Sequence, residues 1–175
     1  MRRTGVRVVI CALVVFGLSG CQPATEGVLG VRLDAQGRLV GVFDWCDGKA
    51  GARIIVLHLS GDDGGATDEV VRLDRVPGRR ARAAEEVVIL DPSDDWRSTL
   101  TPTALGDDRT YNLDAWNKDD GMAHGFPFEI GELRARADSG AILTKQWRHQ
   151  EGRYIATFHT PESFARHADA VCRDG

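Results

Sequence analysis

The chain has 175 residues, 27% of them charged and 42% hydrophobic, with a formal net charge of −4. That length supplies one domain with enough apolar side chain for a core, and falls short of two lobes closing around a solute. The acidic balance argues against a nucleic-acid partner, because such binders carry a basic face.

In chain order the first element is not part of a fold. Arg2, Arg3 and Arg7 precede an apolar run from Val8 to Leu18. The run falls short of the roughly 20 residues that a bilayer-spanning helix needs, and has the length of a signal-peptide core. It ends in Leu18-Ser19-Gly20-Cys21. An aliphatic residue, two small residues and a cysteine at this place resemble the lipobox of a bacterial lipoprotein precursor. The resemblance implies cleavage before Cys21, a thioether-linked diacylglycerol on its sulfur, and an acyl chain such as palmitate on its amine. One chain holds a protein to a bilayer marginally, whereas two or more hold it stably. The expected organisation is a signal peptide over residues 1–20, a lipidated cysteine with a short tether over 21–27, and a single extracytoplasmic domain over 28–175. Six tether residues reach about 20 Å at full extension. Residues 1–20 hold three of the 22 basic residues and no acid, so the rest sets 19 bases against 26 acids, a net of −7. Arginine greatly outnumbers lysine, and Ala, Gly and Asp are abundant, a composition similar to that of proteins from GC-rich bacteria.

Beyond the tether the pattern is that of short strands. Val28 to Asp34 and Arg38 to Cys46 predict a hairpin around Ala35-Gln36-Gly37, since Leu29, Val31 and Leu33 alternate on one strand and Leu39, Gly41, Phe43 and Trp45 on the next. Ala52 to Leu59 is nearly continuous in apolar residues, as in a central strand covered on both faces. Glu69 to Leu73 and Glu85 to Leu90 predict two more strands. Residues 91–109 are polar and turn-rich, a context that predicts an exposed Trp96. Thr110 to Trp116 alternates through Tyr111, Leu113 and Ala115. Phe126 to Ala137 is expected to be extended, with a bulge near Gly131. Ala141 to Arg148 and Arg153 to His159 predict a second hairpin. Thr160-Pro161-Glu162 then opens a helix, with a capping hydroxyl, a proline at the first helical position and an acid in the first turn. Phe164, Ala168, Val171 and Cys172 share one face of it.

This is mainly β: an antiparallel β-sandwich or half-open barrel with a C-terminal helix. The Trp45-Cys46 strand end and the Thr160-Pro161-Glu162-Ser163-Phe164 helix start also give the domain a loose similarity to lipoproteins of GC-rich bacteria, which implies no activity. With Cys11 in the signal peptide and Cys21 lipidated, Cys46 and Cys172 remain as an even pair in an oxidising compartment and predict a disulfide. The alternative, a metal or catalytic thiol, lacks CxxC spacing and a nearby histidine.

No signature of a serine enzyme or of a zinc protease is present. The five histidines are scattered, with His149 and His159 flanking the last hairpin and His167 on the helix. Acid-rich loops at Asp62-Asp63, Asp91 to Asp95 and Asp119-Asp120-Gly121 lack the spacing of a calcium loop and fit Asx turns. Neither pattern supplies a metal or cofactor site. The candidate partner contacts are Trp96 and Trp116, beside acidic loops, and Arg79, Arg80 and Arg82, whose cluster suits an anionic partner such as lipid headgroups or a phosphate-bearing envelope polymer. Trp45 and Trp147, in strands, are expected in the core. The expected function is a membrane-anchored binding or interaction module of the cell envelope, meeting the membrane through Cys21 and an envelope protein or polymer through its surface. A small envelope hydrolase and a solute-binding lipoprotein are the alternatives.

Overall fold

A computed structural model describes residues 26–49, 51–60, 66–100 and 104–174. The lipobox, Cys21 and the Asp62-Asp63 loop lie outside the described residues. Among the described residues, eleven strands form two antiparallel sheets. The first is five-stranded, in the order β11 (Arg153–His159), β10 (Ile142–Arg148), β1 (Gly27–Leu33), β2 (Leu39–Trp45) and β5 (Ala84–Val88). The second runs β6 (Trp96–Leu100), β4 (Ala66–Arg75), β3 (Ile54–Ser60), β7 (Thr110–Trp116) and β8 (Met122–Ala123), with β9 (Pro127–Glu129) also paired to β7. The two sheets do not close into a barrel.

The alternation of the first hairpin places its side chains as expected. Leu29, Val31, Leu33, Leu39, Phe43 and Trp45 point inward and meet Ile55, Leu57, Leu73 and Leu113 of the facing sheet in one core. The opposite phase, Val28, Val40 and Val42, forms a second apolar layer with Ile142. The C-terminal helix α2 (Pro161–Asp174) covers that layer with Phe164 and Ala168. Thr160 caps the helix, its hydroxyl accepting the Ser163 N–H at 3.2 Å. Gly30 lets the helix come close: a methyl there would stand 2.4 Å from Ile142 and 2.9 Å from the Phe164 ring. Cys46 and Cys172 are joined in a disulfide, which ties the end of α2 to the end of β2.

Several boundaries differ from expectation. The first strand starts at Gly27, so the last tether residue belongs to the sheet, and Glu26 before it is already held by the Lys49 ammonium at 2.7 Å and the Asn117 amide at 2.9 Å. Residues 126–137 are not one extended segment with a bulge. The three-residue strand β9 leads into a short helix, α1 (Ile130–Arg134), that buries Ile130 and Leu133 at helical spacing. The stretch read as turns contains the edge strand β6, and Trp96 at its start is only 7% exposed. The Arg75 guanidinium lies 4.1 Å above its ring. Trp147, expected in the core, is 43% exposed.

Candidate functional site

The exposure of Trp147 has a structural cause. Leu143, Lys145 and Trp147 of β10 share the core-facing side of their strand, and Leu143 is fully buried. The hairpin continues past the facing sheet, so burial fades along β10 from Ile142 to Arg148. Trp147 stands opposite Tyr154 in the β10–β11 register, and their rings meet edge to face at 5.1 Å. His149 packs edge-on against Trp147 at 6.4 Å.

This overhanging hairpin forms one wall of a cleft of about 750 Å³. The start of β1, Gly27 to Leu29, also lines it. His124, Gly125 and Phe126 contribute from the segment after β8, and His159, His167 and Val171 from the end of β11 and from α2. Four of the chain's five histidines therefore border one space. Among the described residues no Asp or Glu lines it. Lys145 does, and its ammonium reaches Glu132 at 2.7 Å.

Two groups in the cleft are held firmly. His159 Nε2 and the Thr144 hydroxyl are hydrogen-bonded at 2.9 Å, and the His159 and His167 rings stack with centroids 4.9 Å apart. Burial, reinforced by the neighbouring His167, lowers the pKa of His159 below the ordinary imidazole value. The wall at Gly125 is equally set. Its N–H donates to Asp114 at 2.8 Å, and a methyl on it would lie 1.9 Å from the Leu113 carbonyl oxygen. Only glycine lets residues 124–126 press against β7 in this way.

In chemical terms the cleft offers aromatic faces, imidazoles, hydroxyls and an amide, the inventory of a recognition surface. A hydroxyl–imidazole pair is present in Thr144 and His159, but among the described residues no carboxylate orients the imidazole as nucleophilic catalysis requires. Among the described residues, no three His, Cys, Asp or Glu side chains are arranged to hold a metal ion.

The sequence-predicted contacts fall elsewhere. Arg79, Arg80 and Arg82 line a second cleft of about 690 Å³ with Lys49 and Asp95. Arg79 pairs with Asp95 at 3.4 Å. Among the described residues the guanidinium groups of Arg80 and Arg82 make no ion pair, although Arg82 acts on the Glu85 carboxylate through space. Lys49 is bonded to Glu26, so this basic rim lies at the end where the chain enters the domain. Trp96 does not join Trp116 in a surface patch. It is buried under Arg75, while the half-buried Trp116 ends β7 two strands away from β4. Trp147, Tyr154 and the histidine border were missed as a contact surface. The only sequence signal for them was the aromatic and histidine content of the last hairpin.

No known protein family, no curated protein and no solved structure matches this chain. No helix among the described residues is long and apolar enough to cross a membrane.

Proposed function

We propose that the chain is a lipid-anchored interaction module of the cell envelope, attached to the extracytoplasmic face of the membrane through Cys21 and binding a partner in the cleft beside the last hairpin. The observation that carries the binding reading is the exposed Trp147–Tyr154 pair at the outer end of the last hairpin. Large aromatic side chains cost apolar hydration when left in water, and in interfaces they are the anchors around which affinity concentrates. The lipobox resemblance supports the anchor. Only five positions separate Cys21 from Glu26, a reach of about 17 Å, so an anchored domain keeps its basic rim near lipid headgroups.

The test uses the full-length protein extracted from membranes of the producing bacterium. Cross-linking in intact cells, followed by purification, is expected to yield a defined adduct with the wild type. The Trp147→Ala, Tyr154→Ala double variant is expected to lose at least tenfold of that adduct while keeping its place in the membrane fraction. An adduct of undiminished yield in the double variant would overturn the cleft as the binding face.

A further inference from the structure

We infer that the outer edge of β11 is a homodimer interface, at which β11 of one copy pairs antiparallel with β11 of a second copy about a two-fold axis at Ala156, joining two five-stranded sheets into one. The inference goes beyond the binding reading above and does not depend on it, because Ala156 does not line the cleft.

The reasoning starts from the sheet edges. An open edge is a row of backbone N–H and C=O groups that templates pairing with another chain, and proteins guard such edges with short strands, charges, bulges or proline. The other edges of this fold are guarded. β5, at one end of the five-stranded sheet, has five residues and carries Glu85 and Glu86. β6 has five residues, carries Arg97, and pairs with β4 across a register shift. At the other end of that sheet β8 has two residues, and β9 has three and begins with Pro127. β11 has none of these devices. It is seven residues long, runs in unbroken register with β10 from Arg153 to His159, and pairs with no other strand among the described residues. Between Arg153 and His159 it holds no charged residue. The helix that follows leads away from this edge: α2 packs over Ile142, Val40 and Val42 and is tied to Cys46 at the end of β2.

The strand's own sequence identifies the occupant. Arg153-Tyr154-Ile155-Ala156-Thr157-Phe158-His159 is close to symmetric about Ala156. Ile155 and Thr157 beside the centre are β-branched, and Tyr154 and Phe158 beyond them are aromatic. An antiparallel two-fold pairing sets each residue against its mirror position, so Ile155 meets Thr157 and Tyr154 meets Phe158. Aromatic pairs and β-branched pairs are favourable cross-strand neighbours. The small, exposed Ala156 meets its own copy at the axis. Tyr154, 39% exposed in one copy, gains an aromatic neighbour from the other. An axis moved to Ile155 or Thr157 makes neither pair. At the ends Arg153 meets His159. Arg153 is bonded to Glu151 at 2.7 Å, and burial lowers the pKa of His159, so this contact sets no two free charges together.

The experiment is cross-linking between copies of the full-length protein in membranes of the producing bacterium. Directly opposed residues of an antiparallel pair have Cα atoms about 4.5–5.5 Å apart, within the span of a disulfide, and residues two places out of register lie beyond it. With a mild oxidant, Ala156→Cys is expected to give a covalent dimer at least ten times as abundantly as Ile155→Cys or Thr157→Cys. Absence of that dimer, equal yields at the three positions, or attachment of the Ala156→Cys variant to a different protein would overturn the proposal. Copurification of two differently tagged copies is the second readout. Ala156→Lys in both copies, or Ala156→Glu in both, sets like charges at the axis and is expected to lower copurification at least tenfold. Ala156→Lys in one copy with Ala156→Glu in the other is expected to restore it, which also shows that both variants fold. Undiminished copurification of the like-charged pairs, or a mixed pair no better than they are, would contradict the interface.

Discussion

His159 is the residue whose environment has the clearest consequence in solution. It is hydrogen-bonded to Thr144, stacked on His167, set edge-on to Phe164, and its pKa is depressed by burial and then by His167. In the unfolded chain it titrates at the ordinary value. As pH falls below that value the unfolded state takes up the proton first, so stability is lost on the acid side and is fully present above it. Urea unfolding at pH 7.5 and pH 5.5 is expected to show a larger fall in midpoint for the wild type than for His159→Gln, and equal falls would contradict the assignment. Glu85 works in the opposite sense: burial raises its pKa against the pull of Arg75, to which it is bonded at 2.5 Å. Comparison of the two proteins, not either alone, isolates the imidazole. At this scale Trp45 was legible as a core residue, because its strand alternates cleanly and both faces of that strand are covered. Trp147 and Trp96 were not. Alternation tells which side of a strand a residue occupies, but not where the facing sheet stops, and Trp147 lies beyond that limit. For Trp96 the polar neighbours suggested solvent, whereas Arg75 covers the ring.

Among the elements, α2 depends most on a long-range tie. Its apolar face is short, with Phe164 and Ala168 buried and Val171 only partly so. The disulfide from Cys172 to Cys46 closes a loop with a sequence separation of 126. Chain entropy assigns such a loop about 5 kcal/mol, and native strain or residual structure in the unfolded chain reduces the measured value. A Cys46→Ser, Cys172→Ser double variant is expected to lose about 2–5 kcal/mol in denaturant unfolding. Its loss of amide protection should concentrate in α2 and leave β3, β4 and β7 unchanged. Uniform loss across both sheets would show that the bridge supports the whole fold and not this helix. The helix and the pairing were both legible, the first from its cap and the spacing of its apolar residues, the second from the count of cysteines left after the anchor. The first and last hairpins were legible from alternation around polar turns. Helix α1 was not, because Phe126, Phe128 and Ile130 alternate as a strand would. Only the Ile130–Leu133 spacing marks the change of period, over too few residues to be decisive.

In the whole molecule the separate features gather at one end. The chain enters at Glu26, the basic rim of Lys49, Arg79, Arg80 and Arg82 is joined to it through the Lys49–Glu26 pair, and Gly27 beside it lines the cleft together with the last hairpin. A domain tethered at Cys21 would hold its cleft within about 20 Å of the bilayer, among the extracytoplasmic segments of other envelope proteins. The sequence showed part of this convergence: His149 and His159 flank the last hairpin and His167 lies on the helix after it, whereas His124 comes from a separate segment, and the fold brings all four to one space. The proposed anchor rests on the basic residues Arg2, Arg3 and Arg7, the apolar run from Val8 to Leu18 and the lipobox resemblance at residues 18–21. The most direct measurement is therefore the intact mass of the full-length gene product purified from membranes, followed by sequencing of its N-terminal peptide. The account predicts a chain beginning at Cys21 that carries a diacylglyceryl group and an amide-linked acyl chain, and loss of both the lipid and the membrane association in Cys21→Ser. A chain with a free Cys21 thiol, or one that still retains residues 1–20 in the membrane, would contradict it.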